Sequence, residues 1–190
     1  MIKLIKISVL VLFSFTILTG LIYPLIITGF AHLLFPYQAN GSVIIKNSDV
    51  VGSALIGQNF DQQQYFWGRL SATGEQPYNA SASSGLNLSS TNPGLVNNTK
   101  NRIQELKKVD ANNPIPIPID LVSSSASGLD PDISVAAALY QAERVSRFRG
   151  LSVDQVFELI KAHTKNRLFG FFGEPRVNVL ELNLALDELQ

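Results

Sequence analysis

The chain has 190 residues, of which 46% are hydrophobic and 16% are charged, with 15 basic against 15 acidic side chains. This balance argues against nucleic-acid binding, because general nucleic-acid binders carry a basic surplus. The chain has no cysteine and only 2 histidines. Disulfides, thiolate metal sites and a cysteine nucleophile are therefore excluded, and a histidine-based zinc site is nearly excluded.

Residues 7–35 contain no charge and predict a transmembrane helix, which makes membrane lipid one partner of the chain. A helix needs about 20 apolar residues to cross the ~30 Å hydrocarbon layer, so this run is long enough to span it with tilt. Thr16 and Gly20 have the spacing of small residues that lets two helices approach closely, so they are partner-contact candidates or are merely tolerated in lipid. Pro24 predicts a kink.

The charges that flank this helix predict its direction in the membrane. Lys3, Lys6 and the free amine precede it, whereas only Lys46 follows within about 20 residues. We therefore expect residues 1–6 in the cytoplasm and residues 36–190 outside it, anchored by a single pass through a bacterial inner membrane. A cleaved signal peptide is the alternative, but its apolar region is only ~7–15 residues long and ends at a small-residue site.

The first half of the soluble part predicts a hairpin, an irregular loop, a helix and a strand. Residues 42–56 have strand patterning around turn residues, and residues 95–109 have helical spacing with Val96, Ile103 and Leu106 on one face. The proline-rich residues 112–118 lead into a predicted strand at Leu121 and Val122. The loop of residues 78–93 follows an aromatic cluster and is interpreted as an ordered contact surface. The cluster supplies three partner-contact candidates: Tyr65, Trp67 and Arg69.

The second half predicts three helices. Ser134 caps a helix that ends at Arg149. Ser152 and Gln155 form a capping box for a helix that ends near His163. Residues 177–189 alternate like a strand, but their composition and the pair of Asn178 and Glu181 favour a helix. The buried positions predicted on the first two helices are Val135, Ala138, Leu139, Ala142, Val145, Val153, Val156, Phe157 and Ile160. The fold class is therefore α+β, with one transmembrane helix and a helix-rich soluble domain that has a small β-sheet.

No phosphate-binding, nucleophile or metal motif is found in the sequence, and no catalytic residue is assigned. Gln141 lies at the border of an apolar helix stripe, where a glutamine is usually a satisfied boundary residue; the alternative is an amide that binds a ligand or a partner chain. Arg144, Arg147 and Arg149 lie near the end of that helix, where they form a solvated last turn or bind an anion. From the residues alone, the chain is an anchored exported module whose work is binding.

Seven short motifs, in order along the chain, resemble the C subunit of the Kdp potassium-transporting ATPase, the KdpC family. They are T-G-L-I-Y-P-L (residues 19–25), F-P-Y-Q-A-N-G-S (35–42), G-S-A-L-I-G-Q (52–58), Y-F-W-G-R (65–69), S-G-L-D-P (127–131), Y-Q-A-E-R-V (140–145) and G-E-P-R-V-N-V-L (173–180). Each motif is weak alone, but seven in register are specific. The chain departs from the family pattern at Leu70, Asp132 and Val135, where proline, histidine and proline are usual.

The resemblance implies a non-catalytic subunit of a high-affinity potassium import complex, required for assembly and stability. Its partners would be a P-type ATPase pump subunit that hydrolyses ATP, a channel-like K⁺ subunit and a small single-span subunit. The family is also described as a catalytic chaperone that raises the ATP affinity of the pump subunit, with a glutamine matching Gln141 in contact with nucleotide. The predicted topology disagrees, because ATP is cytoplasmic. The alternative function is a free-standing membrane-anchored periplasmic binding protein.

Overall fold

The computed structural model describes residues 1–189, which divide into two units at residues 51 and 52. The first unit is dominated by a long helix made of α1 (Ile2–Ile17), a π-helical segment (Leu18–Ile22) and α2 (Tyr23–Leu34). A single span of Ile2–Leu34 is apolar and long enough to cross a membrane, and no part of it is buried. The helix thus begins five residues before the uncharged stretch and includes Lys3 and Lys6.

Pro24 predicts a kink, and the structure has the π-helical segment directly before it. Proline has no N–H to donate to the carbonyl of Gly20, and its ring would crowd that carbonyl in a regular α-helix. The backbone N–H of Tyr23 instead bonds to the carbonyl of Leu18, five residues earlier. After α2, a short α3 (Pro36–Ala39) precedes a hairpin of β1 (Val43–Lys46) and β2 (Asp49–Ser53), as predicted.

The second unit contains five further helices of very different lengths and a three-stranded antiparallel sheet. The helices are α4 (Pro93–Val109), α5 (Ile119–Val122), α6 (Val135–Arg149), α7 (Val153–Ala162) and α8 (Val179–Asp187), with a 3₁₀ turn at Ala80–Ala82. The strands are β3 (Asp132–Ser134), β4 (Thr164–Lys165) and β5 (Arg176–Asn178), with β5 in the centre. Ile133 and Thr164 both face Val177 in the register. The α+β class is confirmed.

The predicted helix starts are confirmed by their caps. The Ser134 hydroxyl accepts from the amide of Ala137 at 3.0 Å, and the Ser152–Gln155 capping box is formed. Asn178 accepts from the amide of Glu181 at 3.1 Å. The predicted helix of residues 177–189 is therefore correct for Val179–Asp187, but Asn178 and the two residues before it form β5.

The core is built between α6, α7, α8 and the sheet. It includes Phe66, Leu106, Leu121, Ile133, Ala138, Val145, Val156, Ile160, Val177, Leu182 and Leu186. The strand predicted at Leu121 and Val122 is wrong: both residues are buried in the short helix α5, a pattern that a strand with one solvated face cannot produce. Three positions predicted on buried faces, Val96, Leu139 and Phe157, are exposed, because the neighbouring elements cover a narrower stripe than the periodicity suggests.

Candidate functional site

The aromatic segment, defined as residues 63–69, is held by two side-chain amides at consecutive residues. Asn183 of α8 accepts from the amide N–H of Phe66 at 2.9 Å and donates to its carbonyl at 3.0 Å. Gln141 of α6 does the same to Trp67, at 2.8 and 3.1 Å. The backbone of Phe66 is thereby bonded to α8 and that of Trp67 to α6, so both helices hold the segment. We call this set of contacts the amide clamp.

Gln141 has no hydrogen-bonding capacity left for a ligand in this arrangement. Its Nε2 also donates to the carbonyl of Ala137 at 3.2 Å, and its Oε1 also accepts from Arg144 at 2.7 Å. A primary amide has two donors and two acceptor lone pairs, and all four are occupied. The residue is buried, so it is a satisfied side chain, deeper in the fold than the boundary position predicted from the sequence.

Arg144 reinforces the clamp from the same helix. Its guanidinium donates to the carbonyls of Gln63 and of Tyr65, the latter at 3.0 Å, and stacks 4.8 Å from the centre of the Trp67 ring. The side chain is fully buried, and burial lowers its pKa to about 10, with repulsion from Arg102 adding to the effect and the Asp110 carboxylate opposing it. Arg144 therefore remains charged at neutral pH.

Arg149 completes the contacts at the end of α6. It donates to the carbonyl of Gln64 at 3.0 Å and to Asp187 at 2.7 Å, and its guanidinium lies 4.6 Å from the centre of the Tyr65 ring. The predicted solvated last turn is therefore wrong for Arg144 and Arg149, because both point into the domain and pair with backbone carbonyls. It is correct for Arg147, whose side chain is 56% exposed beside Asp110.

Trp67 lies between two guanidiniums. Arg102 of α4 stacks 5.1 Å from the centre of its ring and donates to the carbonyl of Gly68 at 3.1 Å. The indole N–H of Trp67 donates to the carbonyl of Gln62 at 2.9 Å. Only 6% of Trp67 is exposed, so most of its ring is used for packing within the domain, and partner contact by this residue stays a prediction.

Arg69 ends the segment, and its carbonyl meets Tyr78, the first residue of the loop that was predicted as a contact surface. It pairs with Asp130 at 2.8 Å and donates to the carbonyl of Ser124 at 3.2 Å, while its buried Nε has no partner among the described residues. The hydroxyl of Tyr78 donates to the carbonyl of Arg69 at 2.7 Å. Burial raises the pKa of Tyr78 to about 12, with the Asp130 carboxylate adding to the effect and the nearby arginines opposing it. Tyr65 and Arg69 are partly exposed, and partner contact by them stays a prediction.

A cleft of about 470 Å³ opens beside the segment. Aromatic and charged side chains of both signs line it, including Phe60, Asp61, Trp67, Tyr78, Arg102 and Lys108. Within residues 1–189 no three acidic or histidine side chains come close enough to hold a metal ion. The cleft thus presents aromatic side chains together with charges of both signs.

The two candidates in the membrane helix lie around the start of the π-helical segment. Thr16 is in the last turn of α1, and Gly20 is in the π-helical segment; both are exposed. A Cβ placed on Gly20 would meet no atom within 4 Å, so the space beside it is open. The hydroxyl of Thr19 bonds to the carbonyl of Phe15 at 2.7 Å, which satisfies a backbone group inside the apolar region.

Comparison with known proteins extends over both units. A family model described as "K+-transporting ATPase, c chain" (KdpC) matches residues 5–188. The chain belongs to the KdpC family. The resemblance seen in its motifs is confirmed.

Relatives named "Potassium-transporting ATPase KdpC subunit" match over nearly their whole length. The one from Herpetosiphon aurantiacus is 57% identical over 176 residues, which cover 93% of this chain and 91% of the relative. The one from Methylococcus capsulatus is 55% identical over 190 residues, the whole of both chains. The one from Variovorax paradoxus is 58% identical over 179 residues, covering 94% and 93%. The KdpC match therefore includes the membrane helix, the aromatic segment and the amide clamp.

Three residues of this KdpC site were missed by sequence reasoning: Asn183, Arg102 and Tyr78. Asn183 had a local signal, because it is a polar residue among the leucines of α8, of which Leu180, Leu182 and Leu186 are buried. Arg102 lies among four other charges on α4 and carries no signal of its own. Tyr78 begins the irregular loop, and its role depends on the close approach of Gly57 and Gly68, where an added Cβ would fall within 2.5 Å of the tyrosine side chain.

Proposed function

We propose that this chain is the non-catalytic, single-span subunit of a K⁺-transporting ATPase complex in a bacterial inner membrane, and that another subunit hydrolyses ATP. The observation that carries the proposal is the family match, which is full-length and includes relatives more than half identical to this chain. The exposed apolar helix Ile2–Leu34 supports a membrane location.

We propose further that residues 1–6 are cytoplasmic, residues 7–35 cross the membrane and residues 36–190 lie outside. Support comes from Lys3, Lys6 and the terminal amine, which precede the uncharged stretch, against the single Lys46 soon after it. In this orientation the soluble domain does not meet cytoplasmic ATP.

The same proposal gives Gln141 a packing role in place of a nucleotide contact. Its four hydrogen bonds connect α6 to the aromatic segment, so a nucleotide base would have to displace Trp67 or Arg144 from its amide. A chaperone effect on the ATP affinity of the pump subunit would, in this proposal, pass through contacts between subunits. No ATP is held by this chain.

The proposed partners are a P-type ATPase pump subunit, a channel-like K⁺ subunit and a small single-span subunit. In the membrane, the open space beside Gly20 and the small side chain of Thr16 suit a partner helix. Outside it, Tyr65 and Arg69 are the contact candidates that remain partly exposed. Arg69 lines the cleft, where charges of both signs suit a polar protein surface.

The test of function compares the purified complex with and without this chain. The proposal predicts that K⁺-stimulated ATP hydrolysis and recovery of the intact complex are both lost without the chain and restored when it is added during assembly. Full K⁺-stimulated activity in its absence, or recovery of the chain as a lone binding protein from cells that express every subunit, would contradict the proposal.

Orientation has a separate test, because the chain contains no cysteine. A membrane-impermeant maleimide should label Ser83→Cys in intact cells and should label the control Ile2→Cys only after the membrane is opened. The reverse pattern would place the soluble domain in the cytoplasm.

The Gln141 proposal predicts that Gln141→Ala lowers the amount of stable complex while the KM for ATP of the complex that remains is unchanged.

A further inference from the structure

The membrane helix has too few backbone donors where its π-helical segment meets α2. A helix carbonyl accepts from the N–H four residues later in an α-turn, or five residues later in a π-turn. The carbonyls of Thr19 and Gly20 are therefore within reach of the N–H groups at positions 23, 24 and 25. Pro24 has no N–H. The N–H of Tyr23 is already bonded to the carbonyl of Leu18.

Only the N–H of Leu25 remains for these two carbonyls, so at least one of them has no donor within the span Ile2–Leu34. A side chain of the same helix does not replace the missing donor. A Ser or Thr hydroxyl in a helix bonds to the carbonyl three or four residues before it, and residues 22–24 are Ile, Tyr and Pro. The hydroxyl of Thr19 is bonded to the carbonyl of Phe15. We call the unpaired acceptor the free carbonyl.

The free carbonyl lies near the middle of the span. Gly20 is two residues from Leu18, the midpoint of Ile2–Leu34, which is about 3 Å along the helix axis. The hydrocarbon layer is about 30 Å thick, so headgroups and water are roughly 10 Å or more away. Hydrocarbon has no hydrogen-bond donor, and an unpaired backbone group in it is costly. A donor for the free carbonyl therefore has to come from another protein segment inside the membrane.

The surface beside the free carbonyl is open to such a segment. Thr19 and Gly20 are both exposed, and a Cβ placed on Gly20 would meet no atom within 4 Å. A glycine at this position lets the backbone of a neighbouring helix come close. A side chain on that neighbour can thus reach the backbone of this helix.

We propose that the free carbonyl at Thr19 or Gly20 accepts a hydrogen bond from a hydroxyl or amide side chain on a transmembrane helix of a partner subunit. A neutral donor fits this depth, because a charged side chain in hydrocarbon is expensive. Lipid does not supply the donor, since its polar groups lie in the headgroup layer. The inference rests on the proposed place of this chain in a membrane complex, and it adds the chemistry by which the partner helix is recognised.

The test weakens the acceptor without changing a side chain. Replacing a backbone amide by an ester makes its carbonyl a poorer acceptor, and we apply this in turn to the carbonyls of Thr19 and Gly20. The matched controls are esters at the carbonyls of Thr28 and Gly29, because this second Thr–Gly pair lies inside regular α2 and the space beside Gly29 is equally open. Each ester chain competes with the wild-type chain in cells that express every subunit.

The readout is the share of the ester chain in the purified complex relative to its share in the membrane. At least one of the two test esters should lower this ratio by about threefold compared with the controls. Equal ratios for test and control esters would overturn the proposal. That result would leave the proposed function intact, whereas a wild-type chain that is not recovered with the complex would contradict the proposed function itself.

Pro24→Ala provides the second arm, because alanine restores the N–H that proline lacks. The helix then has a donor for its own carbonyl, so the test esters should have no larger effect than the control esters. A full effect of the test esters in Pro24→Ala would overturn the proposal.

A photo-reactive amino acid in place of Ile17, one turn before Gly20, identifies the neighbour. We expect a cross-link to a transmembrane helix of another subunit that carries a hydroxyl or amide side chain at the same depth. Cross-links to lipid alone, or only to a second copy of this chain, would contradict the proposal.

Discussion

Arg144 and Trp67 share one acceptor: Oε1 of Gln141 takes a hydrogen bond from Arg144 at 2.7 Å and from the backbone amide of Trp67 at 2.8 Å. The charge of the arginine fixes which end of the amide is oxygen, since a guanidinium can only donate. The amide nitrogen is thereby aimed at the carbonyl of Trp67. Two side chains within one turn of α6 thus bind the backbone of the aromatic segment, which is remote from them in sequence.

Gln141→Ala should therefore destabilise the domain by about 3 kcal/mol, because it leaves the amide and carbonyl of Trp67 and one Arg144 donor buried without partners. The measurement is urea unfolding of the full chain in detergent, followed by the fluorescence of Trp67, the chain's single tryptophan. Gln104→Ala, at an exposed position of α4, is the matched control and should change stability by less than about 0.5 kcal/mol. Equal effects of the two variants would show that the clamp carries no stability.

Arg144→Lys should cost at least about 2 kcal/mol, although the charge is kept. A lysine cannot reproduce the planar fork that reaches the carbonyls of Gln63 and Tyr65 together, and it stacks poorly on the Trp67 ring. The emission of Trp67 should also move to longer wavelength as water enters. Arg147→Lys is the control, because its side chain is largely solvated. A tolerated Arg144→Lys would mean that only the charge matters.

Gly68→Ala should destabilise the domain by about 2 kcal/mol, because its Cβ would lie 2.5 Å from the hydroxyl oxygen of Tyr78. Tyr78→Phe removes that oxygen, so the double variant should be more stable than the sum of the two single changes predicts, by more than about 1 kcal/mol.

Gly57→Ala is the control for this cycle. Its Cβ would lie 2.3 Å from a ring carbon of Tyr78 and 2.8 Å from the carbonyl of Asp130, which both remain in Tyr78→Phe. We therefore expect that Tyr78→Phe does not offset the destabilisation caused by Gly57→Ala. If the effects of Gly68→Ala and Tyr78→Phe on stability simply add, the side chain of Tyr78 moves away from the new Cβ at little cost.

The pKa of Tyr78, raised by burial to about 12, predicts a loss of stability in alkali. Above pH 10 the unfolded chain releases this proton while the folded chain keeps it, so the folded state binds more protons and the free energy of unfolding falls with pH. The advantage of the wild type over Tyr78→Phe should be constant below pH 10 and shrink by roughly 2 kcal/mol as the pH approaches 12. Comparing these two chains cancels the titration of Arg144. A pH-independent difference would place the phenol in water.

Patterns among neighbouring residues predicted those features of the fold that depend on neighbouring residues, such as the starts of helices. The starts of α6 and α7 follow from Ser134 and Ser152, because a cap involves residues three apart. The short helix α5 was missed because its conformation is set by burial of Leu121 and Val122 against distant elements. Exposure of Phe157 depends in the same way on which neighbours cover α7.

The site was less accessible to sequence reasoning. Gln141 and Trp67 are separated by 74 positions, and Asn183 and Phe66 by 117, so no spacing rule connects them. The motifs did place Trp67 and Gln141 among the distinctive parts of the chain, but not together. The arginines of α6 were assigned to solvent because a basic helix end is usually solvated, whereas here backbone carbonyls of the aromatic segment replace water.

The π-helical segment Leu18–Ile22 has a consequence for mapping neighbours in the lipid. Such a segment accommodates one additional residue, so side chains after it are rotated by about 100° from the positions that a uniform helix would give them. A helical wheel drawn through all of Ile2–Leu34 misplaces one half against the other. Cross-linking pairs should therefore be designed separately for α1 and for α2, and the two halves of this span can offer different faces to different neighbours.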